Sequence, residues 1–304
     1  MIAPLSHDPL WPRAGGWPPG RDGEQVDLAL IGIPTWRTSL SATGAAATPS
    51  AVRAALRFYS EWAAGVTRWP RIVDWGDIPE PDGVGDDATA TGARAAAIAA
   101  VARAARHASL IVALGGDNAA TVPAALGTWG DRIGSAGLVT LDAHHDLRDG
   151  DSNGSPVRRL IEAGLPGHRI AQLGIADFAN SPAYAARAAA HGITVVPRSE
   201  VDRRPIGDLV TEAIDLAGAA GGPVHVDLDV DVCDRSVAPG CPASAPGGIA
   251  AAQLRVAARA AGRHPLVESI DLTEVDATAD ARDGRTVRLV ALCVLEIAAG
   301  WAER

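Results

Sequence analysis

Two short stretches of this chain crowd acid and imidazole onto single points, at a spacing that suits a divalent cation. The first is Asp142-Ala143-His144-His145-Asp146, directly after an apolar run that begins at Leu138. With the two-residue period of an extended chain, Asp142, His144 and Asp146 project to one side and His145 to the other. The second is His225-Val226-Asp227-Leu228-Asp229-Val230-Asp231, where apolar and polar residues alternate strictly. Its three carboxylates share a face, which is costly in a buried strand unless something positive sits among them. A solvated loop or a helix cap would explain the first stretch without a metal, and an exposed edge strand the second. Each cluster, however, supplies ligands the other lacks. Together they offer many carboxylates and one imidazole, a donor set that suits manganese better than zinc. Two such ions about 3.5 Å apart, bridged by carboxylates, would activate water as a nucleophile at neutral pH.

Other chemistry finds less support. Neither GxGxxG, GxxxxGK[ST] nor GxSxG occurs. Gly115-Gly116-Asp117-Asn118 follows a strand-like run and opens a helix, so an anion could bind there. Three cysteines, Cys233, Cys241 and Cys293, form no CxxC pair and read as packing residues, with a redox pair of Cys233 and Cys241 as the alternative. His7, His107, His168, His191 and His264 are scattered and read as structural.

The elements that must position the two clusters are short apolar runs alternating with alanine-rich helical stretches. Strands are expected at 27–33, 71–75, 110–114, 136–142, 169–174, 193–196, 224–229 and 266–272. Helices are expected at 49–59, 93–107, from about 119, and at 288–300. Repeated strand–helix units argue for an α/β fold: a three-layer αβα arrangement around a roughly eight-stranded parallel sheet. No linker divides residues 1–304, so we expect one domain, with an irregular Pro-, Gly- and Trp-rich N-terminal arm over about 1–25. Ligands of open parallel sheets bind beyond the carboxyl ends of strands, where both acidic clusters fall.

Composition excludes several classes of function. The chain has 304 residues, 47% of them hydrophobic, and a formal charge of −9 without a basic run, a poor match to a phosphate backbone. No apolar run reaches the ~20 residues of a membrane span. The N-terminus lacks the basic start and apolar core of a signal peptide, and the sparse cysteines fit a reducing, cytoplasmic setting.

Six elements, in order, resemble the ureohydrolases: arginases, agmatinases and formimidoylglutamases. They are Gly32-Ile33-Pro34 with Thr48-Pro49-Ser50-Ala51-Val52-Arg53; Asp74-Trp75-Gly76-Asp77; Gly115-Gly116-Asp117-Asn118; Asp142 to Asp146; Asp229-Val230-Asp231 with Ala238-Pro239-Gly240; and Asp271-Leu272-Thr273-Glu274-Val275. The resemblance spans about 27–301 and implies an arginase-like fold, two manganese ions per chain and a homo-oligomer. Counting back from Pro239-Gly240 selects Asp229 and Asp231 as the metal pair, over Asp227. By resemblance, Asp142 and Asp229 bridge both ions, His144 and Asp231 complete one site, and Asp146 and Asn118 the other. Asp146 also moves protons, and Glu274 faces the cationic amidine. Asn118 departs from the family, which has histidine there. Its amide oxygen either binds a weaker second metal or caps the following helix. The run Ser152-Asn153-Gly154-Ser155-Pro156 is similar to the element of formimidoylglutamases rather than to that of arginases. Hence Asn153 and Ser155, with Arg148 or Arg158 as carboxylate partners, are expected to bind substrate. The reaction so implied is hydrolysis of N-formimidoyl-L-glutamate to L-glutamate and formamide, a step of histidine degradation. The alternatives are an amidinohydrolase releasing urea from a guanidino compound such as agmatine or guanidinobutyrate, and a metal-impaired non-catalytic member.

Overall fold

Apolar side chains of the central strands fill both faces of one eight-stranded sheet. The computed structural model describes residues 8–82 and 87–304, which leaves His7 and the first seven residues of the arm outside it. The strands are β1 (Val26–Ile33), β2 (Ile72–Asp77), β3 (Ala108–Gly115), β4 (Gly137–Leu141), β5 (Ile170–Ile175), β6 (Thr194–Pro197), β7 (Val224–Asp229) and β8 (Val267–Thr273). Their order is β2-β1-β3-β8-β7-β4-β5-β6, and every pairing is parallel. The expected α/β architecture with eight parallel strands is therefore present.

Helices cover both faces. On one, Leu30, Val112, Leu141, Val226, Leu228 and Leu272 pack beneath the helices Thr48–Leu56, Ile206–Ala217, Ala251–Arg263 and Arg285–Trp301. On the other, the apolar layer is in two parts. Ala29, Ile31 and Ile111 meet the helix Asp87–Ala105, while Leu138 and Ile170 meet Thr121–Trp129 and Pro156–Glu162. Between the parts lies a fully buried polar belt: Thr140, His225, Asp227, Ser269 and Asp271 on β4, β7 and β8. Register aligns it across the sheet, with Thr140 opposite Asp227 and Asp227 opposite Asp271. A strand hydrophobic on one face and acidic on the other, yet central, rules out the exposed-edge reading of β7.

The strand order also decides where chemistry is gathered. β3, β8, β7 and β4 lie side by side, so their carboxyl ends place Asn118, Glu274, Asp229 and Asp142 around one point. Arg53 on the helix Thr48–Leu56 chelates Asp74 through Nε (2.6 Å) and Nη2 (2.9 Å) and also meets Asp77. Two of the family-like sequence elements thus tie that helix to β2 and lie away from the catalytic point. The arm docks on edge strand β2, where Asp74 N–H donates to Pro18 O (2.9 Å) and Gly20 N–H to Asp74 O (2.9 Å). This arm covers a sheet edge that would otherwise present unpaired backbone groups.

Candidate metal centre

Two overlapping ligand triads stand at the strand ends: Asp142, His144 and Asp231, and Asp142, Asp146 and Asp229. Within each triad the ligand atoms lie within 4.8 Å of one another, and Asp142 belongs to both. β4 stops at Leu141, one residue before Asp142, and β7 at Asp229, so of the ligand candidates the strands deliver only Asp142 and Asp229. Turns place the others. Asp231 sits in a single 3₁₀ turn, Val230–Val232, capped by the Asp229 carboxylate accepting the Asp231 N–H at 2.7 Å. The Asp231 carboxylate accepts from Ala143 N–H (2.9 Å), which pins one cluster to the other. His144 Nδ1 lies 2.7 Å from Asp231 Oδ2 and 3.5 Å from Asp142 Oδ1. His145 turns away, as expected, with its Nδ1 on Gln172 Oε1 at 2.8 Å.

Asp146, expected to move protons, and Glu274, expected to face the amidine, both adopt left-handed backbone, with φ 53° and φ 60°. Non-glycine residues seldom adopt this conformation, and it clusters at functional sites. Glu274 Oε1 accepts from the Asn118 backbone N–H (2.8 Å) and from Asn153 Nδ2 (2.6 Å). Asn153, expected to bind substrate, lies in the site and orients Glu274.

The electrostatics are those of a cluster short of positive charge. Burial, reinforced by Asp231, pushes the Asp142 carboxyl up to about 7. Burial and the neighbouring carboxylates push Asp146 and Asp229 well above the usual range. Burial also lifts Glu274 to about 8, with Asp117 adding to it. Asp231 goes the other way: burial opposes ionisation, but the His144 hydrogen bond and charge hold the carboxyl low. Burial disfavours the His144 imidazolium, yet bonds to Asp142 and Asp231 raise its pKa to about 12. Asp142 Oδ2 is buried without any hydrogen-bond partner. Four carboxylates, one imidazole and an unsatisfied carboxylate oxygen fit a pair of hard or borderline divalent cations.

Asn118, expected as an oxygen ligand, does not turn its amide oxygen toward Asp146 here. Its Oδ1 accepts from Thr121 Oγ1 (2.7 Å) and Thr273 Oγ1 (3.1 Å), and its Nδ2 donates to Asp146 Oδ2 (2.6 Å). Nor is Asn118 the helix cap. That role falls to Asp117, whose carboxylate accepts from Ala119 N–H. The Gly-Gly turn binds no anion through its amides either. Gly116 N–H donates to Ile33 O, Asp117 N–H to Thr35 O and Asn118 N–H to Glu274.

Four ligand candidates, Asn153, Gly154 and Glu274 line a cleft of 150 Å³, with the exposed residues Leu40, Ser41, Arg148 and Ala243 at its mouth. Ser155 and Arg158, expected to bind substrate, do not reach it. Ser155 is buried and bonded within its own loop to Ser152, and Arg158 is spent on backbone carbonyls. Leu40, Ser41 and Thr121 carried no sequence signal, because loop and helix residues of ordinary type acquire a role only through tertiary approach. All three cysteines are free and buried, and burial pushes the Cys233 thiol up to about 12, so they pack rather than react.

Comparison with known proteins agrees with this arrangement. Residues 26–300 match the model of the arginase family. The chain is 33% identical over 290 residues to the formimidoylglutamase of Halalkalibacterium halodurans, covering 92% of this chain and 89% of that one. It superposes on the crystal structure of Bacillus subtilis formimidoylglutamase with a TM-score of 0.87 and 28% identity, over 99% and 95% of the two chains. The fold is also that of Trypanosoma cruzi formiminoglutamase solved with manganese (TM-score 0.80, 24% identity, 91% and 94% covered). Strand order, ligand triads and full-length likeness agree: this chain belongs to the arginase family.

Proposed function

We propose that the protein is a manganese-dependent hydrolase of linear amidines, cleaving N-formimidoyl-L-glutamate to L-glutamate and formamide. One observation carries the reading: two ligand triads sharing Asp142, in a chain one-third identical over nearly its whole length to a formimidoylglutamase. Asp142, His144 and Asp231 would hold one ion, and Asp142, Asp146 and Asp229 a second. When bound, manganese supplies Lewis acidity and makes water a competent nucleophile at neutral pH.

The protein's own residues do the rest. Glu274, aimed into the cleft and fixed by Asn118 N–H and Asn153, pairs with the amidinium and orients its carbon. Water adds to that carbon and the bond to the glutamate nitrogen breaks. Asp146, buried and fixed by Asn118 Nδ2, takes the water's proton and returns it to the departing amine. Asn118 acts here as the donor that orients Asp146.

The test is product analysis on manganese-loaded protein offered N-formimidoyl-L-glutamate, agmatine and 4-guanidinobutyrate. Formamide and glutamate are expected. Urea from a guanidino compound, without turnover of the formimidoyl substrate, would replace this reading with that of an amidinohydrolase. Metal content well below two per chain without any turnover would point to a metal-impaired, non-catalytic member.

A further inference from the structure

The loop from Asp146 to the helix Pro156–Glu162 carries two arginines with different surroundings. Arg148 is exposed at the mouth of the cleft and lines it together with Asp146, Asn153 and Glu274. Among the described residues its guanidinium has no hydrogen bond or ion pair. It is the one arginine of the lining, in a chain without lysine. Arg158 is half-buried and fully engaged. Its Nε donates to Arg148 O (2.6 Å), its Nη2 to Gly150 O (2.6 Å) and its Nη1 to Glu162 (2.5 Å). The two carbonyls it grips are those that set the course of segment 148–150. From the other side, Arg148 N–H donates to Gly154 O (3.0 Å). A Cβ at Gly154 would stand 2.7 Å from Arg148 Cδ, so the arginine stem packs directly over this glycine.

We infer that Arg148 is the specificity-determining anchor for a substrate carboxylate, and that Arg158 is a positioning residue holding it at the cleft mouth. This rests on reading the cleft as an amidine-hydrolase site and names its substrate class: amidines or guanidines whose tail ends in a carboxylate. The charge layout matches such a molecule end to end. Carboxylates at the base of the cleft receive the cationic amidine, and the unpaired guanidinium fork at the mouth receives the anion. A neutral tail gains nothing there, and an ammonium tail meets a like charge.

The experiment compares kcat/KM of the manganese-loaded enzyme on N-formimidoyl-L-glutamate and on N-propylformamidine, which has the same reacting group and no carboxylate. Arg148→Met should lower the preference for the carboxylated substrate by about 30-fold, expressed in KM. Arg148→Lys, which keeps the charge and loses the fork, should fall between. Arg158→Gln should lower the same preference by about 5-fold, again through KM, as loss of one or two charged hydrogen bonds to carbonyls allows. A purely structural role would lower turnover of both substrates alike, and that outcome overturns the positioning claim. Equal losses for both substrates with Arg148→Met overturn the anchor. L-Glutamate binding by calorimetry probes the anchor without turnover: Arg148→Met should weaken it by a similar factor, and unchanged affinity overturns the inference. Should wild type cleave 4-guanidinobutyrate instead, the proposed reaction fails. The anchor is then decided by the same Arg148 contrast between 4-guanidinobutyrate and propylguanidine.

Discussion

Asp142 is the residue on which both ligand triads depend, and among the ligand candidates it is the one with an unsatisfied buried oxygen. Asn118 stands one step back, bonded to a single ligand, Asp146. The two should therefore fail differently. Asp142→Asn removes the shared negative oxygen, and we expect metal content to fall from about two per chain to well below one. The loss of activity should exceed the 10–100-fold typical of outer partners. The same change relieves like-charge crowding, so the metal-free protein should melt higher than wild type. Asn118→Ala leaves the triad Asp142, His144 and Asp231 whole. It should keep one ion per chain while lowering affinity for the other by roughly 10–100-fold. Elemental analysis beside thermal melts checks both, and equal metal loss in the two variants would contradict the separation. Much of this was legible in the sequence: acid and histidine at period two after apolar runs marked both clusters, and the resemblance to the ureohydrolases chose Asp229 and Asp231 over Asp227. The direction of the Asn118 amide was not legible. It depends on Thr121 and Thr273, hydroxyls three and 155 residues away that only the fold brings together.

At the scale of elements, strand ends and the turns after them share the work. Eight strands could be read because buried parallel strands are continuous apolar runs, and their order could not, because nothing local says that β8 inserts between β3 and β7. Period two misassigned the cause at Asp231, which a 3₁₀ turn rather than the strand delivers. Residue type misled at Ser155 and Arg158, since a serine or arginine near a site looks the same whether it faces the ligand or the loop behind it. The Gly-Gly turn after β3 shows how tightly such connections are set. A Cβ on Gly116 would lie 2.1 Å from the carbonyl oxygen of Thr35, a backbone atom that cannot swing aside. Gly116→Ala must shift the turn that carries Asn118 and its hydrogen bond to Glu274. We expect a stability loss of about 1–3 kcal/mol by denaturant unfolding, with a fall in kcat larger than the rise in KM. Wild-type stability in that variant would show that the turn has slack.

For the whole molecule, the acidic cleft makes stability a function of pH whose sign depends on metal. Without metal, burial holds protons on Asp117 up to about 6, on Asp142 up to about 7 and on Glu274 up to about 8. The unfolded chain releases the same protons near pH 4. The folded state therefore binds more protons between those limits, and stability present below about pH 4 is lost as pH rises through 6 to 8. His144 acts in the same direction. Its pKa, raised to about 12, makes the folded state the better proton binder above the ordinary histidine value. Each retained proton contributes a slope of about 1.4 kcal/mol per pH unit, so even one of these groups gives a readable trend. Bound manganese replaces the protons with its own charge, requires ionised carboxylates and a neutral imidazole, and binds more tightly as pH rises. Melts in chelator should fall in midpoint from about pH 5.5 to 7.5, and melts in excess manganese should rise or hold over the same range. Flat or rising midpoints in chelator would mean that the carboxylates are ionised in the metal-free fold, and the account of the cleft as a cluster awaiting cations would have to be abandoned.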